Sequence, residues 1–397
     1  MAKTLVIDTT EGTRIPFLRG ILTRSLYEAG IEFDEAYELA VIIRQKLTGL
    51  AEISSKQLHD LVVELLQQRS LQEYIPAYQS SGQIPHTIMV RDIADQTTPF
   101  SRSQHQLCLE SCGLSPKDAE MATRSIYQCL LGDGIRETSS ARLGHITYDY
   151  LEDNFGLEVA RHYLVWVEFT HSGRPLILLI GGAPGCGKST ISTEVAHRLG
   201  IVRTQSTDML REVMRMMIPK KLLPILYTSS FNAWKLLPLE QKSDLDQESR
   251  ITAGYRSQME LISVPSEGVI QRAIRERVSL ILEGVHVHPS LVDKINQDSD
   301  VIVVPVMLGV LKQDMLHKRL SGRGKRVPGR GSQRYLENFE QIWALQSFLL
   351  SEADHYGVPI ISNDEKEEAS VQIMRIIIAV MQAQFSGSPE EVFSHEG

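Results

Sequence analysis

The stretch Leu176-Ile177-Leu178-Leu179-Ile180-Gly181-Gly182-Ala183-Pro184-Gly185-Cys186-Gly187-Lys188-Ser189-Thr190 decides how the chain is read. Five aliphatic residues in a row do not alternate between a wet and a dry face, so both faces of this segment need cover. That is the signature of a buried strand in a parallel sheet. Directly after it, Gly182, Gly187, Lys188 and Ser189 fit the spacing GxxxxGK[ST]. Glycines at those places let successive main-chain amides converge on phosphate oxygens. The helix that follows adds free N–H groups and the positive end of its dipole. Ile191, Val195 and Leu199, four residues apart, give that helix an inner face. The loop from Gly182 through Ala183, Pro184, Gly185, Cys186, Gly187, Lys188 and Ser189 to Thr190 is the expected nucleotide-binding segment. Lys188 reaches the β/γ-phosphates as a point charge and counts as catalytic. The Ser189 hydroxyl is an expected ligand of Mg²⁺. Cys186 reads as a small filler.

Further strand signals follow at 202–206, 279–282, 301–308 and 358–362, separated by helical segments. Such βα alternation predicts an α/β fold with a doubly wound parallel sheet and ligands at the carboxyl ends of its strands. Three strand ends carry chemistry. After the second strand, Thr207 or Asp208 can cap a helix, and Asp208, Arg211 and Arg215 share one face of it. A carboxylate there can orient or deprotonate an attacking hydroxyl, and guanidinium groups suit a substrate phosphate or carboxylate. After the third strand comes Glu283-Gly284-Val285-His286-Val287-His288. Glu283 is the second expected metal ligand. His286 is a candidate for the substrate phosphate, with a hydrogen-bonded turn histidine the alternative, and His288 reads as structural. After the fifth strand, Asn363 stands in the turn that borders the adenine in kinase-type P-loop proteins, and by that likeness is expected to do so here.

The segment 313–334 is basic and glycine-rich, with Lys318, Arg319, Arg323, Lys325, Arg326, Arg330 and Arg334 against one acid, Asp314. It reads as a lid that neutralises charge on the transferring phosphoryl, with Arg319 and Arg323 the favoured catalytic contacts. The segment 220–258 reads as a helical insertion over the site, its aromatics belonging to the core.

The first 165 residues repeat themselves at an offset of 83. Pro16-Phe17 meets Pro99-Phe100, Leu26 meets Leu109, Gly30 meets Gly113, Ala36 meets Ala119 and Ile43 meets Ile126. After a two-residue insertion, Ser54-Ser55 meets Ser139-Ser140. Each copy predicts a strand and turn, two helices, and a third helix capped by the serine pair. The expected boundaries are 1–83 and 84–170 for the repeats, 171–383 for the α/β domain and 384–397 for a disordered tail. The 397 residues carry a formal charge of −8, which argues against a general nucleic-acid binder. The chain has no apolar run of membrane-spanning length and no signal-like leader, and its four cysteines include no CxxC pair. A cytoplasmic location is expected, without a membrane or nucleic-acid partner.

Copy one, from Val6 through Ile15-Pro16-Phe17 to Gly30, resembles the ATP-cone, a regulatory nucleotide-binding module. Ile7 and Asp8 stand where that family usually carries a basic pair, which favours packing or dimerisation over effector binding. The repeats are therefore the expected seam of any homo-oligomer. The runs Gly181–Thr190, Thr207-Asp208 to Arg215, Leu222–Tyr227, Ser229–Trp234 and Leu282–His286 resemble the 2-phosphoglycerate kinase family over about 172–383. The kinase portion is shared with plant P-loop proteins linked to phytic-acid levels. The resemblance implies ATP-dependent phosphorylation of the 3-hydroxyl of 2-phosphoglycerate, a small anionic phosphorylated substrate, with ATP and Mg²⁺ required. Another phosphorylated metabolite such as an inositol phosphate, or a nucleotide sensor that transfers nothing, are the alternatives. The Asp208/Arg211/Arg215 face argues against a sensor, which needs no acceptor site.

Overall fold

The computed structural model describes residues 4–7, 14–81, 88–92, 95–132, 135, 137–238, 245–295, 300–326, 332–364 and 366–393. The chain divides into two compact units. One is Met1–Met89 with Gly134–Arg136, and the other is Val90–Asp133 with Glu137–Gly397.

The repeat in sequence is a repeat in structure. Copy one runs β1 (Leu5–Ile7), β2 (Arg14–Pro16), α1 (Arg19–Glu28), α2 (Phe33–Lys46), β3 (Glu52–Ser54) and α3 (Ser55–Gln68), then α4 (Ile75–Ser81). Copy two runs β4 (Met89–Arg91), β5 (Thr97–Pro99), α5 (Arg102–Ser111), α6 (Pro116–Gly132), β6 (Glu137–Ser139) and α7 (Ser140–Phe155), then α8 (Leu157–Ser172). Each copy builds a three-stranded sheet, ordered β2-β1-β3 and β5-β4-β6. Gly30 and Gly113 follow α1 and α5 at φ +101° and +99°, the left-handed backbone that ends a helix most cheaply at glycine. Ser54 and Ser139 cap α3 and α7, accepting from the amides of Gln57 and Arg142. The matched pairs Leu26/Leu109, Ala36/Ala119 and Ile43/Ile126 are all fully buried. The equivalence therefore reaches into the cores.

The rest of the second unit is a five-stranded parallel sheet of β7 (Leu176–Gly182), β8 (Arg203–Ser206), β9 (Leu280–Gly284), β10 (Ile302–Gly309) and β11 (Ile360–Ser362), in the order β11-β10-β7-β9-β8. Its helices are α9 (Lys188–Arg198), α10 (Thr207–Met217), α11 (Gln247–Arg275), α12 (Gln313–Arg326), α13 (Ser332–Leu336), α14 (Phe339–His355), α15 (Lys366–Gln382) and α16 (Pro389–Phe393). The aliphatic run fills the central strand, as its lack of alternation requires. Leu176, Leu178 and Ile180 enter a core with Ile191 and Val195 of α9 and Ile373 of α15. Ile177 and Leu179 enter another with Ile270 and Ala273 of α11. Since β7 has β9 on one side and β10 on the other, the chain switches direction at its carboxyl end. That switch point is where an open α/β sheet leaves room for a ligand. No helix among the described residues is long and apolar enough to cross a membrane.

Two expectations need correction. The tail read as disordered from 384 onward is anchored: Phe385, Val392 and Phe393 are buried, and α16 packs on α7 and α8. Phe393 lies 4.8 Å, ring to ring, from His145 and 6.3 Å from Tyr163, over the space that Gly144 leaves by having no side chain. Three buried apolar residues hold a polar tail, the last in the space Gly144 leaves open. Residues 394–397 lie outside the described residues. The cap of α10 is Ser206, not Thr207 or Asp208, since its Oγ accepts from the Asp208 amide at 3.2 Å.

Truncating Phe393 should show how firmly the tail is held. Phe393→Ala is expected to lower the unfolding free energy by roughly 3–5 kcal/mol, the usual range for emptying a buried aromatic site. Urea denaturation followed by tryptophan fluorescence measures it, and a loss below about 1 kcal/mol would mean the tail is only loosely laid down.

Candidate active site

The loop between β7 and α9 closes on itself. The Lys188 side chain is buried, and its Nζ donates to the Ala183 carbonyl at 2.9 Å. Across the loop, Asn363 donates from Nδ2 to the Cys186 carbonyl at 2.7 Å, and its own amide donates to the Gly309 carbonyl at 2.9 Å. Asn363 thus ties the β11 turn to the phosphate loop. Arg319, on α12, donates to the carbonyls of Asn363 and Asp364, the latter at 3.1 Å. Leu316 and Leu320, on the inner side of α12, pack against Gly185. The basic stretch read as a lid is therefore a helix over 313–326, seated on the loop. The side chain of Arg323 and those after it to residue 331 lie outside the described residues.

Strand register places the carboxylate. Glu283 stands opposite Ile180 of β7 on one side and Ser206 of β8 on the other. It is buried and accepts a hydrogen bond from Ser189 Oγ at 2.9 Å. A hydroxyl and a carboxylate oxygen at this spacing, beside a phosphate loop, are a fitting pair of hard oxygen donors for a small divalent cation.

Next along the strand, Gly284 sits at φ +154°, and a Cβ there would collide with Thr207 Oγ1. The missing side chain lets the start of α10 close on β9. Behind that contact lies His286, which the sequence analysis offers to the substrate. The structure places it differently. The ring is buried and stacks parallel to Tyr255 at 6.3 Å, and both nitrogens have protein partners. Gln258 Nε2 donates to the carbonyls of Ile225 at 2.5 Å and Thr228 at 3.2 Å. Its Oε1 is left to accept from His286 Nε2 at 2.9 Å. The imidazole proton therefore sits on Nε2, and Nδ1 accepts from the Thr207 hydroxyl at 3.4 Å. Burial pushes the imidazole down to about 3, against the pull of the Asp208 carboxylate, with Arg211 and Lys188 adding to the depression. The charges of Asp208, Arg211 and Lys188 thus all bear on one neutral ring.

Asp208 and Arg211 meet as an ion pair at 3.2 Å, and Arg211 also donates to the Thr228 carbonyl at 2.6 Å. Arg215 is drawn aside: it pairs with Glu212 at 2.6 Å and lies over the Tyr227 ring at 4.8 Å. The structure thus brings together Lys188, Ser189, Glu283, Asp208, Arg211, Arg319 and Asn363. It turns His286 into an internal brace and Arg215 toward Glu212. Sequence reasoning missed Gln258 and the 228–232 turn. Gln258 carried a signal, being the polar member of the apolar stripe Ile251, Tyr255, Ile262 on α11.

No family model matches the chain. Curated relatives do. A 2-phosphoglycerate kinase of Methanocaldococcus jannaschii is 35% identical over 302 residues, 75% of this chain and 94% of its own. That of Methanopyrus kandleri is 36% identical, covering 70% of this chain and 84% of its own. That of Pyrococcus furiosus is 36% identical, covering 70% and 89%. The chain belongs to the 2-phosphoglycerate kinase family. The first of these matches is longer than everything after His171, so kinship with the family extends into the repeats as well as the α/β portion.

A buried neutral histidine has a pH signature. Its ordinary value of 6.5 is lowered in the fold, so it stabilises the native state above about pH 6.5. That stability is lost as pH falls toward about 3. His105, lowered to about 4 between Thr123 and Thr147, acts in the same direction. Between pH 6 and 4, His286→Gln should reduce the slope of unfolding free energy against pH by up to about 1.4 kcal/mol per pH unit. Urea unfolding at stepped pH measures this, and an unchanged slope would mean the ring is protonated in the fold.

Proposed function

We propose that this protein transfers the γ-phosphoryl group of ATP to the 3-hydroxyl of 2-phosphoglycerate, giving 2,3-bisphosphoglycerate and ADP. The observation that carries the reading is the meeting of a phosphate loop with an Asp208–Arg211 pair around one buried ring, in a chain of this family. The loop Gly182–Thr190 holds the triphosphate through those main-chain N–H groups that no loop carbonyl takes, together with Lys188. Ser189 and Glu283 would hold Mg²⁺, which supplies charge neutralisation on the β- and γ-oxygens when bound. Arg319 stands on the α12 side of the loop. Asn363 holds the turn beside the base.

Asp208 orients the acceptor hydroxyl and takes its proton. The bond formed joins the 3-oxygen to the γ-phosphorus, and the bond broken is the one to the β,γ-bridging oxygen, which leaves on ADP. Arg211 both steadies the Asp208 carboxylate and faces the acceptor's negative charge. Little covalent work falls to the protein, whose contribution is alignment and charge neutralisation. The N-terminal repeats carry none of these residues, and we assign them to packing or association between copies.

ADP release should depend on added 2-phosphoglycerate. Lys188→Ala is expected to abolish turnover in a chain that still folds. Asp208→Asn should lower kcat by about 10²–10⁴-fold while the KM for ATP changes little. ADP release equally fast without any acceptor, or Asp208→Asn turning over like the parent, would remove the kinase reading.

A further inference from the structure

Buried polar atoms in folded proteins are almost always paired, so unpaired ones call for an explanation. Six residues between α10 and the start of α11 carry a buried side-chain polar atom with no hydrogen-bond partner among the described residues. They are Arg211, Arg215, Ser229, Asn232, Trp234 and Arg250. Four of the atoms are N–H donors, at Nε of Arg211, Arg215 and Arg250 and Nε1 of Trp234, and the Ser229 hydroxyl can donate too. The sixth atom, Asn232 Oδ1, is an acceptor, so five of the six can donate, and donors without protein partners suit an anionic occupant.

Three of the six are linked through one short stretch of backbone. Arg211 reaches the Thr228 carbonyl at 2.6 Å and the Asp208 carboxylate at 3.2 Å, which leaves its Nε unpaired. Ser229 is the next residue after Thr228. It starts a tight turn in which the Asn232 amide donates to the Ser229 carbonyl at 2.9 Å. The turn is held from behind by Gln258, which bonds Thr228 and Ile225 and is itself fixed by His286. Gly254 of α11 lies against the backbone at Trp234, just after the turn. The turn is thus braced against the elements that position Asp208.

We propose that the turn 228–232 completes the acceptor site, with Ser229 and Asn232 as specificity-determining residues that bind an oxyanion of the acceptor beside Arg211. This rests on the phosphoryl-transfer reading and deepens it. 2-Phosphoglycerate carries two anionic groups, a carboxylate and a phosphate, and Arg211 has one uncommitted edge. A second set of donors is needed to hold the molecule in one orientation with its hydroxyl at Asp208. Ser229 Oγ supplies one. Asn232 supplies another when its amide turns Nδ2 inward, a half-turn about χ2. Neutral donors on a braced turn read the position of the oxygens rather than charge alone.

The experiment compares 2-phosphoglycerate with glycerol 2-phosphate, which keeps the phosphate and lacks the carboxylate. Kinetics are measured on the full chain for Ser229→Ala, Asn232→Ala and Asn232→Asp. Each alanine variant should raise the KM for 2-phosphoglycerate about ten- to a hundredfold, the size of one hydrogen bond to a charged group, and leave the KM for ATP unchanged. Asn232→Asp should raise it further, because a carboxylate then faces the acceptor's anion. If the rise is lost with glycerol 2-phosphate, the turn holds the carboxylate; if it persists, the turn holds the phosphate. Both outcomes support the assignment. Unchanged acceptor KM values in an active enzyme, or equal rises for ATP and acceptor, overturn it alone. A parent chain that neither phosphorylates 2-phosphoglycerate nor binds it by calorimetry in the presence of ADP overturns both readings.

Discussion

The catalytic half of the molecule depends on a buried imidazole that carries no charge. His286 sits where β9, α10 and α11 meet, and each of its ring nitrogens has a fixed duty. Gln258 determines the tautomer because its own N–H groups are committed to two carbonyls, so the proton must lie on His286 Nε2. Thr207 can then give its hydroxyl proton to the other nitrogen. A charged ring would lose that acceptor and would face Arg211 and Lys188 from a dry site. Burial keeps it neutral, and neutrality keeps the start of α10 docked. Asp208 follows Thr207 directly in the chain, so the position of its carboxylate is inherited from this contact.

The phosphate loop is organised by the same logic of satisfied groups. Lys188 is buried, and an ammonium in such a place must have a partner; the Ala183 carbonyl supplies one. Ser189 and Glu283 satisfy each other across the gap between α9 and β9. Asn363 and Arg319 close the outer edge by bonding main-chain carbonyls rather than acids. That choice leaves the Arg319 guanidinium bonded to neutral carbonyl groups.

Much of this was legible in the sequence because it rests on local rules. The aliphatic run at 176–180 could only be a doubly covered strand, and glycine spacing marked the loop after it. The offset of 83 carried glycines and buried positions together, so the repeated fold followed. What escaped were long-range partnerships. Nothing near His286 in sequence announces Gln258, 28 residues away, and without that partner the histidine looked like a ligand for substrate. Arg215 lay on the expected helix face, yet Tyr227 from the insertion and Glu212 from its own helix draw it aside. The tail looked disordered because composition counts residues, whereas the hollow beside Gly144 asks for one aromatic at one place.

The two repeats show how one backbone plan diverges when its surroundings differ. In copy two, Ser111 at the end of α5 donates to the Arg198 carbonyl at 2.6 Å, so this helix has become part of the packing around α9. Its outer positions corresponding to Tyr27, Phe33 and Tyr37 of copy one are Glu110, Pro116 and Glu120. In copy one those aromatics are kept and exposed, with Arg19 lying over the Tyr37 ring at 4.5 Å. A cation over a ring stabilises an aromatic that has no apolar cover, so this surface is held in a defined arrangement. The conserved part of the plan is the core, where volume and register leave few choices. The free part is the outer face of the first two helices, where aromatics in one copy stand against acids and a proline in the other.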